Sequence, residues 1–316
     1  MQTTLKNGLK SGLETTWTLG KIIFPITLIV TILQYTPVLP LIISWIEPLM
    51  GLIGLSGEAA VPLVLANVLN LYAGIGAIVS FDFTVKEVFI MAMMMSFSHN
   101  LFVESAVAAK VGVRFSVIIA VRIGLAIVSA AVINLVWHGG QSQAKYGFVP
   151  TDGPEPEGWL QIGLAGLETA FFGIVQLALI VIPIMIIIQW MKDRHWLDWL
   201  SNKLTPFTKI IGVEKNASTT LVAGLTVGLA FGAGVMIQAA KEDQVSKKDM
   251  YLVLIFLVAC HAVVEDTLIF IPLGIPVWPL LLIRLTAAIL LTMIIAYFWN
   301  RYERKDANMR KGAVVK

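Results

Sequence analysis

Two short polar clusters interrupt stretches of this sequence that are otherwise apolar. The first lies in "SFSHNLFVES" and the second in "ACHAVVEDTL". Their polar members are His99, Asn100, Glu104, His261, Glu265 and Asp266. An imidazole can bind and release a proton near neutral pH, so these residues predict a proton- or ion-coupling site. Histidines and carboxylates also suit a divalent metal, and the candidate ligands are His99, His261 and Glu265, the last two of which would share one face of a helix.

Two arginines lie in the apolar stretches that follow these clusters. An unpaired charge inside a membrane costs at least about 2.5–3.5 kcal/mol, so Arg122 and Arg284 need a counter-charge or a polar cavity. If successive helices run antiparallel, Arg122 lies at the depth of Glu104, and Arg284 lies at the depth of Asp266. These ion pairs could serve only to join neighbouring helices, or the arginines could attract an anionic solute.

The composition places these residues in a membrane. Of the 316 residues, 57% are hydrophobic and 14% are charged, whereas about 25% are charged in a soluble domain. Apolar stretches about as long as a membrane crossing lie near 17–36, 59–81, 88–107, 115–137, 166–189, 217–240, 251–271 and 279–299. The single cysteine, Cys260, excludes an intrachain disulfide framework. No nucleotide-binding or dithiol motif is present, so we expect neither an enzyme nor a cofactor, apart from H⁺ or Na⁺ as a coupling ion.

The sequence contains an internal repeat. An offset of 162 residues pairs His99 with His261, Glu104 with Asp266, and Arg122 with Arg284. An offset of 158 relates glycines further upstream, and "GLET" occurs at 12–15 and at 166–169. We therefore predict a first repeat at 1–137, an extracytoplasmic connector at 138–162, a second repeat at 163–300 and a basic cytoplasmic tail at 301–316.

The charged loops predict how the chain crosses the membrane. If 59–81 and 217–240 are re-entrant hairpins with midpoints near Asn70 and Gly228, all the strongly basic segments face the cytoplasm, as the positive-inside rule requires. The repeats then have inverted topology. The expected fold is an all-α polytopic protein of the bacterial inner membrane, with cytoplasmic termini. Each repeat has three transmembrane helices, a re-entrant hairpin and a short amphipathic helix. The alternative for the glycine-rich second hairpin is an intact helix with a small-residue packing face.

The hairpins also carry polar side chains that could contact a solute. These are Glu58, Asn67, Asn70, Asn216 and Ser218. Uncharged hydrogen-bonding groups at half-helix ends are typical of transporter sites. Helix capping explains Asn216 and Ser218 equally well, because both residue types are good N-caps.

The repeated unit resembles a known family. The hairpin entry "GEAAVP" followed by "SFSHNLFVESAVAAKVG" is similar to the nucleoside-recognition or Gate domain, and two copies would span nearly the whole chain. That family is related to the concentrative nucleoside transporters, to the membrane part of the bacterial ferrous-iron permease and to spore maturation proteins A and B. The resemblance implies inverted repeats with re-entrant hairpins. It also implies that the hairpin residues named above match positions that hold base and ribose in nucleoside transporters.

Together these features predict an ion- or proton-coupled secondary transporter of a small polar or anionic solute, with a nucleoside-like solute as one candidate. The alternatives are a lipid headgroup translocase, a divalent metal permease, and a structural or assembly protein of the membrane. The expected partners are a small solute or a lipid headgroup, membrane lipids and a second copy of the chain. No nucleic acid is expected.

Cysteine labelling tests the predicted topology. On a Cys260→Ser background, Lys110→Cys and Lys203→Cys should react with a membrane-impermeant maleimide only from the cytoplasmic face, because both lie in basic loops. Asp152→Cys should react only from outside. Labelling in right-side-out and inside-out vesicles separates the two faces, and outside labelling at position 203 would contradict the hairpins.

Overall fold

Most of the residues that the computed structural model describes are helical, and the described residues are 2–145, 158–194, 203, 211–213, 217–229 and 245–314. The helices are α1 Gln2–Gln34, α2 Val38–Gly51, α3 Ala60–Val68, α4 Leu71–Ile78, α5 Val85–Ser98, α6 Leu101–Val111, α7 Phe115–Val136, α8 Gly158–Asp193, α9 Ser218–Val227, α10 Lys247–Ala259, α11 Glu265–Leu268 and α12 Val277–Val314. Short 3₁₀ turns occur at Gly57–Ala59 and Ile271–Leu273.

Three helical segments among the described residues are long and apolar enough to cross a membrane. They are Val85–Val111, Phe115–Val136 and Val277–Arg304. The first contains α5 and α6 and is largely buried by the rest of the protein, whereas the other two expose most of their surface. This difference is expected if α7 and α12 face lipid while α5 and α6 are covered by other parts of the protein.

The helices at two of the predicted apolar stretches, 88–107 and 251–271, are interrupted. Helix α5 ends at Ser98, and α6 begins at Leu101 after a break at His99 and Asn100. Helix α10 ends at Ala259, and residues 260–264 separate it from α11. Each break contains a residue with positive φ, Asn100 at 50° and Ala262 at 40°. Left-handed backbone in a residue other than glycine costs about 1–3 kcal/mol, so surrounding contacts must hold it.

The helix interruption expected near Asn70 is present. Helix α3 ends at Val68, and Asn70 is the N-cap of α4, where its Oδ1 accepts a hydrogen bond from the Ala73 N–H at 2.9 Å. In the second half, α9 ends at Val227 and Gly228 follows with φ 87°, which glycine adopts at little cost. The amphipathic helix expected at 38–55 is α2, while most of its expected counterpart at 196–213 lies outside the described residues.

Contacts divide the chain into two compact units, and each takes segments from both sequence halves. Unit 1 comprises Met1–Phe102, Ile123–Trp196 and Val264–Leu281. Unit 2 comprises Val103–Arg122, Leu197–Val263 and Leu282–Lys316. The domain boundaries predicted from the repeat follow the sequence rather than these units, and they remain predictions.

In unit 1, α1 and α8 pack antiparallel along glycines. A Cβ at Gly12 would lie 2.8 Å from the Ile182 Cα, and a Cβ at Gly166 would lie 2.9 Å from Leu28 Cδ1. Gly12 and Gly166 hold the same place in the repeated "GLET", and Leu28 and Ile182 are separated by the same offset. The two contacts are therefore reciprocal, as in a symmetric pair of helices.

The amino-terminal ends of α5 and α10 have the same local geometry. Thr84 caps α5 through the Glu87 N–H, and Ser246 caps α10 through the Asp249 N–H. In unit 1 the Phe89 ring packs 5.3 Å from Trp137. In unit 2 Tyr251 packs 5.5 Å from Trp299. Every one of these pairs obeys the 162-residue offset, so local structure follows the repeat as well as sequence does.

The α1–α8 contact predicts opposite effects for two glycine substitutions. Gly12→Ala should lower the thermal unfolding temperature, because its Cβ meets backbone and overpacking typically costs about 1–3 kcal/mol. Gly163→Ala on α8 meets nothing within 4 Å, so it should leave stability unchanged or raise it through better helix propensity. Thermal unfolding in detergent compares the two variants, and equal effects would contradict the packing.

Candidate functional site

The two helix breaks are held by the same pair of hydrogen bonds. The His99 Nδ1 lies 2.7 Å from the Met95 carbonyl oxygen, and the His261 Nδ1 lies 2.8 Å from the Leu257 carbonyl oxygen. The next residue in each case donates its backbone N–H to a carbonyl of a neighbouring helix. Asn100 donates to the Ala66 carbonyl of α3 at 2.9 Å, and Ala262 donates to the Gly224 carbonyl of α9 at 3.2 Å. Both histidine rings are thereby fixed where two helices meet.

In unit 2 a buried cluster surrounds Glu104. Its Oε2 lies 2.8 Å from the Arg122 Nη2, and its Oε1 lies 3.3 Å from the His261 Nε2. The Arg284 Nη2 donates to the His261 backbone carbonyl at 2.8 Å. All four residues are buried, and both arginines have no exposed surface. We call Glu104, Arg122, His261 and Arg284 the Glu104 cluster.

The geometry of the Glu104 cluster confirms one predicted ion pair and shows one contact that was not predicted. Arg122 pairs with Glu104, as predicted from their depth. Sequence reasoning missed that Glu104 also faces His261, a residue of the other repeat. Arg284 holds the backbone of the second break, where the chain has left the helix and the His261 carbonyl needs a donor. The pairing of Arg284 with Asp266 remains a prediction.

Unit 1 contains a related arrangement around the first break. A ring nitrogen of His99 and a carboxylate oxygen of Asp266 lie within 4.8 Å of each other. The Tyr72 hydroxyl donates to the Glu265 Oε1 at 2.6 Å. In both units, therefore, the histidine of one repeat lies near the acid that belongs to the other.

One expectation for Glu265 changes with this geometry. His261 lies in the non-helical segment before α11, and Glu265 is the first residue of that helix. They therefore do not share a helical face. The cause is the non-helical segment 260–264, which separates α10 from α11. The metal set of His99, His261 and Glu265 remains a prediction, and Glu265 already accepts a short hydrogen bond from Tyr72.

The hairpin residues have mixed roles. Asn70 is a helix cap, as described above. The Asn67 amide donates to the Leu63 carbonyl at 2.7 Å, while its Oδ1 is buried without a hydrogen-bond partner among the described residues. Glu58 lies in the 3₁₀ turn before α3, where burial and then the charges of Glu87, Asp82 and Glu47 raise its pKa. Asn216 and the side chain of Ser218 lie outside the described residues.

Sequence reasoning also missed three polar groups. Tyr72 was overlooked, although the sequence contains a signal for it. Tyr72 and its hydrogen-bond partner Glu265 both depart from the repeat, because their counterparts in the other half are the apolar residues Ala230 and Val103. Ser105 and Thr267 directly follow the two acids at equivalent positions. Each has a buried hydroxyl with no hydrogen-bond partner within the described part of the chain. Such groups are candidates for binding a polar ligand.

Comparison with known families identifies the fold family. The family profile described as "Gate: Nucleoside recognition" matches residues 16–130 and 174–275. The chain belongs to the Gate family. This Gate chain is 62% identical over 296 residues to "Uncharacterized membrane protein YvoD" of Bacillus subtilis (strain 168), a match that covers 94% of this chain and 95% of the relative. No solved structure matches this Gate chain. Family membership and the apolar helices together establish a membrane protein.

The Glu104 cluster predicts strong energetic coupling between Arg122 and Glu104. Glu104→Gln or Arg122→Met alone should destabilise this Gate protein by about 3–5 kcal/mol, because each leaves a buried charge without its partner. The double variant should be more stable than the sum of the two losses predicts. Thermal unfolding in detergent measures this double-mutant cycle.

The exposed pair Lys10–Glu14, at 3.8 Å, provides a matched control. Lys10→Met and Glu14→Gln should show almost no coupling, because an exposed ion pair contributes little to stability. Additive losses at Arg122 and Glu104 would show that the two side chains are not energetic partners.

Proposed function

We propose that this Gate protein is a proton-coupled secondary transporter of a small polar or anionic solute, and that it acts by transport rather than by catalysis. The observation that carries the proposal is the pair of helix breaks at His99–Asn100 and at residues 260–264. Each places an imidazole, a carboxylate and a hairpin helix end in one buried place. Interrupted helices with hydrogen-bonding groups near the middle of the membrane are typical of substrate and ion sites in transporters.

The energetic cost of this arrangement argues against a purely structural role. A pack of helices that only holds an assembly together needs no left-handed residue in a central helix, and it needs no buried arginine. Here the chain bears the strain at Asn100 and Ala262. It also bears the desolvation of Arg122, Glu104 and Arg284. Strain and buried charge of this kind are typical of functional sites.

Inverted repeats are part of the proposal, and three contacts support them. The first helices of the two repeats, α1 and α8, pack antiparallel through reciprocal contacts. In unit 1 the Lys145 carbonyl, at the connector end of α5, lies beside Gly274, which follows α11. In unit 2 the Tyr251 hydroxyl, near the start of α10, accepts from the Arg114 N–H just after α6. Helix α10 thus starts at the end of the protein where α6 finishes.

The solute class follows from the groups that remain available. Arg122 is neutralised by Glu104, so a strongly anionic solute is less favoured than a polar one. Buried oxygens at Asn67, Ser105 and Thr267 have no hydrogen-bond partner among the described residues. They suit a solute with several hydroxyl or amide groups, such as a nucleoside. The family description points the same way. We place the protein in the bacterial inner membrane with both termini in the cytoplasm.

Flux into proteoliposomes tests the proposed function. Nucleosides, small organic anions and divalent metals should be compared with and without an imposed pH gradient. A nucleoside or an organic anion, but no metal, should accumulate when the gradient is present. Asp266→Asn should lower that flux at least tenfold while the protein stays folded, because the acid beside His99 is lost. Asp193→Asn, an exposed acid at the end of α8, should transport normally.

Two results would contradict the proposal. One is equal flux in Asp266→Asn and Asp193→Asn. The other is fluorescent lipid movement between leaflets with no solute flux, which would assign the protein to lipid translocation instead.

A further inference from the structure

The hydrogen bonds of His261 decide where its protons lie. Its Nδ1 is 2.8 Å from the Leu257 carbonyl oxygen, and a carbonyl oxygen can only accept, so Nδ1 must carry a proton. In a neutral imidazole the other nitrogen, Nε2, is then an acceptor with a lone pair. That nitrogen faces the Oε1 of Glu104 at 3.3 Å, and an ionised carboxylate is also only an acceptor.

Two acceptors at this distance repel each other unless a proton lies between them. Either His261 is an imidazolium that donates from Nε2, or Glu104 is a carboxylic acid that donates from Oε1. Both descriptions contain one proton more than a neutral imidazole beside a carboxylate. The contact therefore favours the binding of one additional proton, which either atom could hold.

We propose that His261 and Glu104 bind a single exchangeable proton between Nε2 and Oε1, and that this is the coupling proton of the transport cycle. This inference rests on the proposed function for its role in transport, but the bound proton itself does not depend on that function. When the proton is present, Glu104 of α6 is joined to the break that follows α10. When it leaves, the two acceptors repel and this link between the repeats opens, while Arg122 continues to neutralise Glu104.

The surroundings of the pair favour a proton over a metal ion. Two guanidinium groups of unit 2 lie close to it: Arg122 of α7, at 2.8 Å from Glu104, and Arg284 of α12, at 2.8 Å from the His261 carbonyl. Helix α9 carries no charged residue. Two guanidinium groups disfavour a divalent cation, which adds two positive charges, far more than a proton.

The first repeat carries a comparable pair in unit 1. The His99 Nδ1 also faces a carbonyl oxygen, at 2.7 Å, so Nδ1 carries a proton there as well. Asp266 lies within 4.8 Å of the His99 ring. The cycle therefore has one histidine–acid pair in each unit, each pair made from both repeats.

Nitrogen NMR of the histidines measures the proposed proton directly. The protein contains four histidines, so ¹⁵N-histidine labelling in nanodiscs gives few signals, and a His261→Gln variant assigns one of them. In wild type, His261 should show Nδ1 protonated at every pH and Nε2 losing its proton as pH rises. In Glu104→Gln the amide can donate to Nε2, so His261 should remain neutral and its titration should move to lower pH by at least one unit.

Matched variants control the measurement. Glu104→Asp keeps a carboxylate and should restore most of the wild-type titration. Exposed His138 should titrate in the same way in all of these variants. An unchanged His261 titration in Glu104→Gln would overturn the proposal. So would a His261 signal that responds to micromolar Zn²⁺ but not to pH, because it would assign the pair to a metal.

Flux measurements test separately whether the bound proton drives transport. If transport depends on a pH gradient and Glu104→Gln removes that dependence, the pair carries the coupling proton. If the NMR titration is as expected but flux in wild type does not depend on the pH gradient, the coupling role is overturned. The proton site itself is then still supported. If no solute is transported at all, the NMR result is unaffected and only the proposed function fails.

Discussion

A main chain that leaves its helix inside a membrane must find other partners for its N–H and C=O groups, because lipid offers none. The structure of this Gate protein follows from how it meets that constraint twice. At the second break, the Ala262 and Val263 N–H groups donate to the carbonyls of Gly224 and Leu225 near the end of α9. At the first break, Asn100 donates to Ala66 near the end of α3. At each break, a neighbouring helix that ends close by thus supplies acceptors for the freed N–H groups.

The same constraint explains where the charges lie. A break exposes carbonyl oxygens that a helix would have used, and a buried guanidinium can satisfy such an oxygen while it also needs negative charge nearby. Arg284 binds the His261 carbonyl, and Arg122 binds Glu104. Charges that would be costly in a continuous helix therefore stabilise the broken one. The imidazole is held at the junction, where a change in its protonation changes a contact between the two repeats.

Several of these features could be predicted from the sequence, and the reasons differ from residue to residue. The repeat predicted that the histidines, acids and arginines occupy equivalent positions, because their spacing is the same in both halves of the sequence. The interruptions at Asn70 and Gly228 were predictable because asparagine and glycine favour such conformations. The breaks at His99–Asn100 and Ala262 were not. "SFSHNLF" and "CHAVVE" read as helix, and a long-range hydrogen bond to a hairpin overrides that local preference.

A native cysteine can test the central claim, which is that the His261–Glu104 contact at the second break opens when its proton leaves. Cys260, its single cysteine, is fully buried beside His261. Its rate of reaction with a small water-soluble methanethiosulfonate, in native membranes at two pH values, measures how often that buried place meets water. We predict slow but complete labelling that speeds up at high pH, where the His261–Glu104 proton is lost, by more than labelling of a surface cysteine does. Glu14→Cys on a Cys260→Ser background is that surface reference and corrects for ionisation of the thiol. No labelling at either pH until the protein is unfolded would contradict the account.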